Sequence, residues 1–148
     1  MSLRLILLIS LFGANTSHAV EARDVSSLES KNISSLITPS QLVVFTSPDC
    51  QACKRQLNDL DCLSPKIKVN VIAIDSKLSH ARLEAAKHRN YSYYAMSSRT
   101  LSKVGLDNLV FPTLLYMNDK TINKVHGYNM CLKIKNMIED HRRAGVYE

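Results

Sequence analysis

Two short, continuous apolar runs in the first half of the chain each predict a buried strand. They cover residues 42–46 and 69–75, and they lack the alternation of apolar and polar residues that marks a half-exposed strand. Between them, residues 50–61 predict a helix, because their apolar side chains recur at spacings of four and three along one face. A strand, a helix and a second strand in this order predict a βαβ unit with parallel strands.

The second half of the chain carries weaker patterns that predict three more helices and up to three more strands. The predicted helices cover residues 78–90, 99–104 and 130–142, and the strands cover 91–96, 110–117 and 121–126. The last two strands are separated by a short polar turn, which predicts a β-hairpin. The whole pattern predicts an α/β fold with a mixed sheet and helices on both faces.

The first 19 residues have the layout of a secretory signal peptide. Arg4 supplies a positive start, residues 5–12 form an apolar core broken only by Ser10, and residues 17–19 are a small-x-small cleavage site. The apolar run is too short to cross a bilayer, so the alternative is an uncleaved interfacial anchor. We therefore expect a periplasmic or otherwise exported protein. Residues 20–40 are polar and serine-rich and predict a flexible lead-in with room for one short element near 33–37, which leaves 41–148 as the folded domain.

Charge and cysteine content narrow the possible partners. The 148 residues include 19 basic and 13 acidic side chains, giving a net charge of +6, and removal of Arg4 with the signal segment lowers it to +5. The basic residues are scattered and are not interleaved with aromatics, which argues against nucleic-acid binding. A basic surface can still favour acidic partners or anionic membranes. The four cysteines are an even number, as suits disulfides in an exported protein.

The candidate chemistry lies at Cys50-Gln51-Ala52-Cys53, where the first predicted strand gives way to the first predicted helix. Unpaired N–H groups and the helix dipole stabilise a thiolate there, which makes Cys50 the expected nucleophile. Asp49 opposes the thiolate, whereas Lys54 and Arg55 favour it. The second cysteine, one helical turn on, can attack the mixed disulfide that the first one forms. A structural disulfide is one alternative, and a zinc site, which needs two more ligands, is another.

Two segments together resemble the thioredoxin-like superfamily. They are Leu42-Val43-Val44-Phe45-Thr46-Ser47-Pro48-Asp49-Cys50-Gln51-Ala52-Cys53-Lys54 and Phe111-Pro112-Thr113-Leu114-Leu115-Tyr116. A strand, CxxC at a helix start, a βαβ unit, then x-Pro-Thr before a hairpin and a terminal helix is that superfamily's order, matched over about residues 41–142. The long stretch at 75–105 is similar to the central insertion of TlpA-like exported thiol–disulfide oxidoreductases.

The resemblance implies a thioredoxin-like mixed sheet with a helical insertion before a cis-proline hairpin. Pro112 takes the position of the cis-proline, and Phe111 and Thr113 beside it would contact an extended substrate segment. An ordinary trans edge-strand proline is the alternative. The implied enzyme exchanges protein disulfides through Cys50 and Cys53. The resemblance favours the reductase direction, with electrons from a membrane or soluble redox partner, and an oxidase or isomerase that uses the same residues is the alternative. It needs no organic cofactor and no metal.

The sequence departs from that superfamily at the groups around its cysteines. Asp49 stands where tryptophan is frequent, and neither residue between the cysteines is proline. Val44 and Val71 stand where ordinary thioredoxin has a buried acid and a buried lysine. Proton transfer by that acid and lysine is therefore not expected here.

The resemblance also bears on Cys62 and Cys131, at the end of the first helix and the start of the last. In the thioredoxin-like fold these helices share one face of the sheet, so a structural disulfide is one expectation, contributing about 4 kcal/mol. The two helices run roughly parallel, which would put the cysteines at different heights. Two free buried cysteines and a second redox pair are therefore alternatives.

Two functions without redox catalysis stay open on the sequence alone. A binding module would dock partners and use CxxC only for its own stability. A metal chaperone would bind copper or zinc through the cysteines, with His126, near the end of the predicted hairpin, as a candidate further ligand. The other histidines are not clustered along the chain, so a cysteine–histidine catalytic pair has no support.

Overall fold

The structure is a computed structural model that describes residues 20–103, 106, 108–117 and 122–144. The predicted signal peptide at 1–19 lies outside these residues. The described strands form one seven-stranded sheet in the order β2-β1-β5-β4-β3-β6-β7. They are β1 (Glu21–Asp24), β2 (Ser30–Asn32), β3 (Gln41–Thr46), β4 (Lys68–Ile74), β5 (Ser92–Met96), β6 (Thr113–Met117) and β7 (Ile122–His126).

Four of the helices correspond to predicted ones and differ from them mainly at their ends, whereas α1 lies in the predicted lead-in. They are α1 (Ile33–Leu36), α2 (Gln51–Asn58), α3 (Leu78–Lys87), α4 (Ser98–Ser102) and α5 (Cys131–Ala144). The helix predicted over 50–61 is two elements, because α2 tightens after Asn58 into a 3-10 helix, Asp59–Cys62. No helix among the described residues is both long enough and apolar enough to cross a bilayer.

The predicted βαβ unit and the mixed sheet are confirmed. Strands β3, β4 and β5 are parallel, whereas β6 pairs with β3, and β7 with β6, in antiparallel register. Successive residues of β3 point to opposite faces of the sheet. Leu42 and Val44 pack in the core that α2, α3 and α5 cover, and Val43 and Phe45 pack in the core that α1 and α4 cover. Helices therefore cover both faces, as expected.

The prediction of a flexible lead-in at residues 20–40 is wrong. Strands β1 and β2 form a hairpin from this segment, and β1 pairs with β5 in antiparallel register. The segment is polar because most of its side chains face solvent at the edge of the sheet. Its few apolar side chains are buried, namely those of Val20, Ala22, Val25, Ile33 and Leu36. Residues 20–40 are therefore part of the same folded unit as the described residues from 41 to 144.

A buried asparagine connects this segment to the centre of the sheet through hydrogen bonds. Asn70 of β4 is fully buried, and its side-chain amide donates to the Leu36 carbonyl at 3.0 Å and to the Gln41 Oε1 at 2.6 Å. Hydrogen bonds of this kind offset much of the cost of burying a polar amide. They join the end of α1 to the starts of β3 and β4.

Candidate redox site

The cysteine pair lies where the central strand β3 meets α2. Strand β3 ends at Thr46, residues 47–49 turn the chain, and Asp49 has a positive φ of 60°. Cys50 has an extended backbone, with φ −82° and ψ 99°, and is the N-cap of α2. The turn thus places the first cysteine just outside the helix and at the carboxyl end of a buried strand.

Cys50 and Cys53 form a disulfide with their Cα atoms 5.2 Å apart. Cys50 is half-buried, whereas only 3% of Cys53 is exposed. The Sγ of Cys50 accepts a hydrogen bond from the Cys53 backbone N–H at 3.1 Å. An N–H at a helix start interacts more strongly with a thiolate than with a neutral sulfur, so this geometry favours an ionised Cys50 once the disulfide opens.

A pocket beside the disulfide is formed between α2 and α3. It is lined by Cys50, Cys53 and Lys54 on one side and by residues of α3 and β5 on the other. Of the two basic residues expected to favour the thiolate, Lys54 therefore lines the same pocket as the sulfurs. Arg55 instead lies over the ring of Tyr128, 4.2 Å from its centroid.

The Phe111-Pro112-Thr113 segment reaches the same edge of the sheet. The Phe111–Pro112 peptide bond is cis, and β6 begins at Thr113 opposite Phe45, one residue before β3 ends. Phe111 and Pro48 line one groove, which is continued by apolar side chains from β4 and α4. The structure therefore brings the segment after residue 110 beside the turn that carries Cys50.

The hydroxyl of Thr113 holds this segment in place. It is buried, donates to the Val110 carbonyl at 2.6 Å, and lies 3.0 Å from the Nδ1 of His126. Since its one proton goes to Val110, the Nδ1–H of His126 is the donor in the second contact. His126, the candidate copper ligand, thus points one ring nitrogen at Thr113. Among the described residues, no group of three or more His, Cys, Asp or Glu side chains is arranged to hold a metal ion.

Cys62 and Cys131 are joined in a second disulfide, with Cα atoms 6.0 Å apart. Cys62 is the last residue of the 3-10 helix, and Cys131 is the first residue of α5. The expected difference in height between them is absent, because the end of the 3-10 helix packs directly against the start of α5.

Polar contacts that the sequence did not reveal surround this second disulfide. Gln56 is fully buried and pairs with the backbone of Asn129, accepting from its N–H at 2.8 Å and donating to its carbonyl at 3.0 Å. Tyr128 donates a hydrogen bond to the Asp59 carboxylate, which raises the pKa of the phenol. We call Arg55, Gln56, Asp59, Cys62, Tyr128, Asn129 and Cys131 the α2–α5 junction. In the sequence, this junction is indicated only by the polar residue at position 56, which interrupts the apolar face of α2.

Comparison with known proteins identifies the fold. No protein-family model and no curated protein matches the chain. Solved structures do match, among them a secreted disulfide oxidoreductase of Mycobacterium tuberculosis described as homologous to E. coli DsbE. It has a TM-score of 0.67 and 14% identity, over 86% of this chain and 99% of that one.

Two further structures agree with the first. A DsbF homologue from Corynebacterium diphtheriae has a TM-score of 0.62 and 17% identity, over 81% of this chain and 82% of its own. The exposed lipoprotein thioredoxin of Streptococcus pneumoniae has a TM-score of 0.61 and 13% identity, over 81% and 97%. The chain therefore has the thioredoxin-like fold, shared with thiol–disulfide oxidoreductases, and carries a CxxC pair at the start of α2.

Proposed function

We propose that this protein is an exported thiol–disulfide oxidoreductase that exchanges disulfides of protein substrates through Cys50 and Cys53. The observation that carries the proposal is the Cys53 N–H donating to the Cys50 Sγ at the N-terminus of α2. That position stabilises a thiolate on the more accessible of the two sulfurs. The structural neighbours named as disulfide oxidoreductases support the same assignment.

The chemistry needs only these two sulfurs and a substrate disulfide. The Cys50 thiolate attacks one substrate sulfur, the substrate S–S bond breaks, and the other substrate sulfur leaves as a thiolate. The Cys53 thiolate then attacks Cys50 Sγ, and the bond between Cys50 and the substrate breaks. The substrate gains two electrons and, from solvent, two protons. The Cys50–Cys53 disulfide that results is the form described above.

The substrate segment would lie against Phe111, Pro112 and Thr113. Phe111 and Pro48 line one apolar groove, and Pro48 also lines the pocket that contains Cys50. An extended peptide there can form strand-like hydrogen bonds with the backbone of Phe111 while its sulfur faces Cys50. The Thr113 contacts with Val110 and His126 keep this segment in one position.

Export and the reductase direction are further parts of the proposal. The signal-like segment at 1–19 supports export, as does the Cys62–Cys131 disulfide, because such bonds persist mainly outside the cytosol. The neighbour from M. tuberculosis is itself a secreted protein. The TlpA-like insertion favours a reductase that takes electrons from a membrane or soluble redox partner. In the producing cell, the mass of the mature protein should match a chain that begins at Val20.

The reduction potential of the Cys50–Cys53 pair is the decisive measurement. It is obtained by equilibrating the protein with glutathione buffers and counting alkylated cysteines by mass spectrometry. A value near that of thioredoxin, about −270 mV, supports a reductase, whereas one near −120 mV would indicate an oxidant. The absence of any reversible couple would favour the binding module or the metal chaperone. Cys50→Ser and Cys53→Ser variants identify the sulfurs that take part.

A further inference from the structure

Tyr93 occupies an unusual place in the sheet. Val71 pairs with Val44 of β3 on one side and with Tyr93 of β5 on the other, so the three side chains form one row. Residues paired across a sheet point to the same face, and all three lie in the core beneath α2. Val44 and Val71 are the positions that correspond to the buried acid and lysine of ordinary thioredoxin. Tyr93 thus places a polar group in a row whose other two members are valines.

Tyr93 is one of the residues that line the pocket of the redox site. Tyr93 lines the same pocket as Cys50 and Cys53, although only 5% of its surface is exposed. Its Oη is fully buried and has no hydrogen-bond partner among the described residues. Leaving a buried hydroxyl without a partner costs about 1–3 kcal/mol, so such a group calls for a reason.

The oxidised state of the cysteines supplies that reason. A disulfide sulfur is a weak hydrogen-bond acceptor, whereas a thiolate carries a full charge and accepts strongly. Cys53 is almost completely buried, so a thiolate on it has little access to water. A buried donor in the same pocket therefore gains an acceptor only when the Cys50–Cys53 bond opens.

Burial and the nearby Glu84 keep the phenol of Tyr93 protonated. Glu84 and His80 face the pocket from α3, Lys54 from α2 and Asp49 from the preceding turn, and the ring of His88 stacks on that of Tyr93. Burial, the charge of Glu84 and the neighbouring Tyr91 raise the pKa of Tyr93 far above its ordinary value. The phenol is accordingly a donor at physiological pH and not a base.

Glu84, the acidic residue of α3 that lines the pocket, cannot act as a neutral hydrogen-bond donor to the cysteines. Burial acts to raise the pKa of Glu84, but the hydrogen bond and charge of Lys87, with His80 and Lys54, lower it below the ordinary value. The Glu84 carboxyl is thus ionised at neutral pH, and its Oε1 accepts a hydrogen bond from the Lys87 Nζ at 2.7 Å. Tyr93 is left as a buried hydrogen-bond donor that lines the same pocket as the cysteines and has no partner among the described residues.

We propose that Tyr93 donates a hydrogen bond to the Cys53 thiolate whenever the Cys50–Cys53 disulfide is opened. This inference rests on the proposed function. An incoming thiolate attacks Cys50 Sγ, a mixed disulfide forms, the Cys50–Cys53 bond breaks, and Cys53 leaves with the electron pair. The phenol O–H then stabilises that negative charge without transferring its proton. The same contact holds Cys53 ready for the reverse attack.

The test compares the pKa of Cys53 in two variants of the protein. Cys50→Ala frees Cys53 as it is in the mixed disulfide, and the second variant adds Tyr93→Phe. The pKa is read from the pH dependence of alkylation by iodoacetamide, since the bonded Cys62 and Cys131 do not react. A hydrogen bond to a charged group corresponds to a rise of roughly one to two pKa units when it is removed.

A neighbouring tyrosine provides the matched control. Tyr94 is equally buried, at 5% exposed, but lies in the core on the opposite face of the sheet. A rise in the Cys53 pKa with Tyr93→Phe and none with Tyr94→Phe supports the proposal. An unchanged pKa in both, or an equal rise in both, overturns it. Reduction of a protein disulfide by the unmodified protein is assayed separately, so a failure of the proposed function is recognised independently.

Discussion

The two disulfides of this protein are the same covalent bond in two different settings. Cys50–Cys53 joins residues three apart in the sequence, and Cys62–Cys131 joins residues 69 apart. In the chain-entropy description, closing the short loop stabilises the fold by about 2 kcal/mol and closing the long one by about 4 kcal/mol. The fold therefore depends less on the bond that is proposed to open and close.

The surroundings of the two disulfides also favour exchange at Cys50–Cys53 rather than at Cys62–Cys131. The Cys50 sulfur has a helix N–H at 3.1 Å and lines a pocket beside an apolar groove. The Cys62–Cys131 bond lies in the α2–α5 junction, where Gln56 and Asn129 already hold the two elements together. Loop length and neighbouring donors, rather than the bond itself, thus distinguish the disulfide that is proposed to exchange from the other one.

Replacing Cys50 should produce the largest effect of any single change. We expect Cys50→Ser to lower the rate of exchange with a protein disulfide by about a thousandfold or more, because a serine hydroxyl cannot act as the exchanging nucleophile. Insulin reduction in the presence of dithiothreitol measures the rate. The double variant Cys62→Ser/Cys131→Ser is the control and should keep it. Equal loss in both would mean that the second pair belongs to the redox machinery.

Removing the second disulfide should have the largest effect on stability. For Cys62→Ser/Cys131→Ser we expect the free energy of unfolding to fall by about 4 kcal/mol, since the unfolded chain regains the freedom of the long loop. Urea unfolding of the oxidised proteins measures this difference. Cys50→Ser/Cys53→Ser, which opens the short loop, should lose only about 2 kcal/mol. The comparison fails if the order of the two losses is reversed.

Breaking the buried hydrogen-bonded pair at the α2–α5 junction should lower stability by less than removing the Cys62–Cys131 disulfide. Gln56→Leu leaves the buried N–H and carbonyl of Asn129 without their partner, so we expect stability to fall by about 2 kcal/mol. Gln51→Leu is the control, because Gln51 lies exposed on the same helix. Similar losses in the two variants would show that the buried pair contributes nothing specific.

The smallest effect is expected at the Phe111–Thr113 segment. Thr113→Val removes the hydroxyl that binds Val110 and His126, and should lower stability by about 0.5–1 kcal/mol. It should also raise the KM for a protein disulfide, because the segment around Phe111 is less firmly held. Thr113→Ser keeps the hydroxyl and should keep the KM. If both variants raise the KM alike, the methyl group and not the hydroxyl is responsible.

The central part of the fold could be predicted from local signals alone. Strands β3 and β4 are buried on both faces, so their apolar runs are continuous, and the helix between them begins at a cysteine pair. The N-terminal hairpin could not be predicted in this way. Its stability comes from pairing with β5, about 70 residues later, and its apolar residues are too sparse to form a pattern.

The parts of the site that the sequence did not predict depend on contacts between distant segments. Gln56 and Asn129 are 73 residues apart, and their pairing follows from the packing of α2 on the start of α5. Tyr93 joins the row of Val44 and Val71 only through the register of three strands. The hydrophobic pattern of one segment indicates which of its side chains are buried, but it does not determine the register between strands that are distant in the sequence.

The N-terminal hairpin has a consequence for solubility. Without it, β5 would present unpaired backbone groups along the outer side of a buried sheet, an arrangement that promotes edge-to-edge aggregation. With it, the outermost strand on that side is β2, three exposed residues that include Lys31. Short, charged edge strands discourage pairing with another chain. A recombinant chain begun at residue 41 would therefore precipitate more readily than one begun at residue 20, even if its cysteine pair were intact.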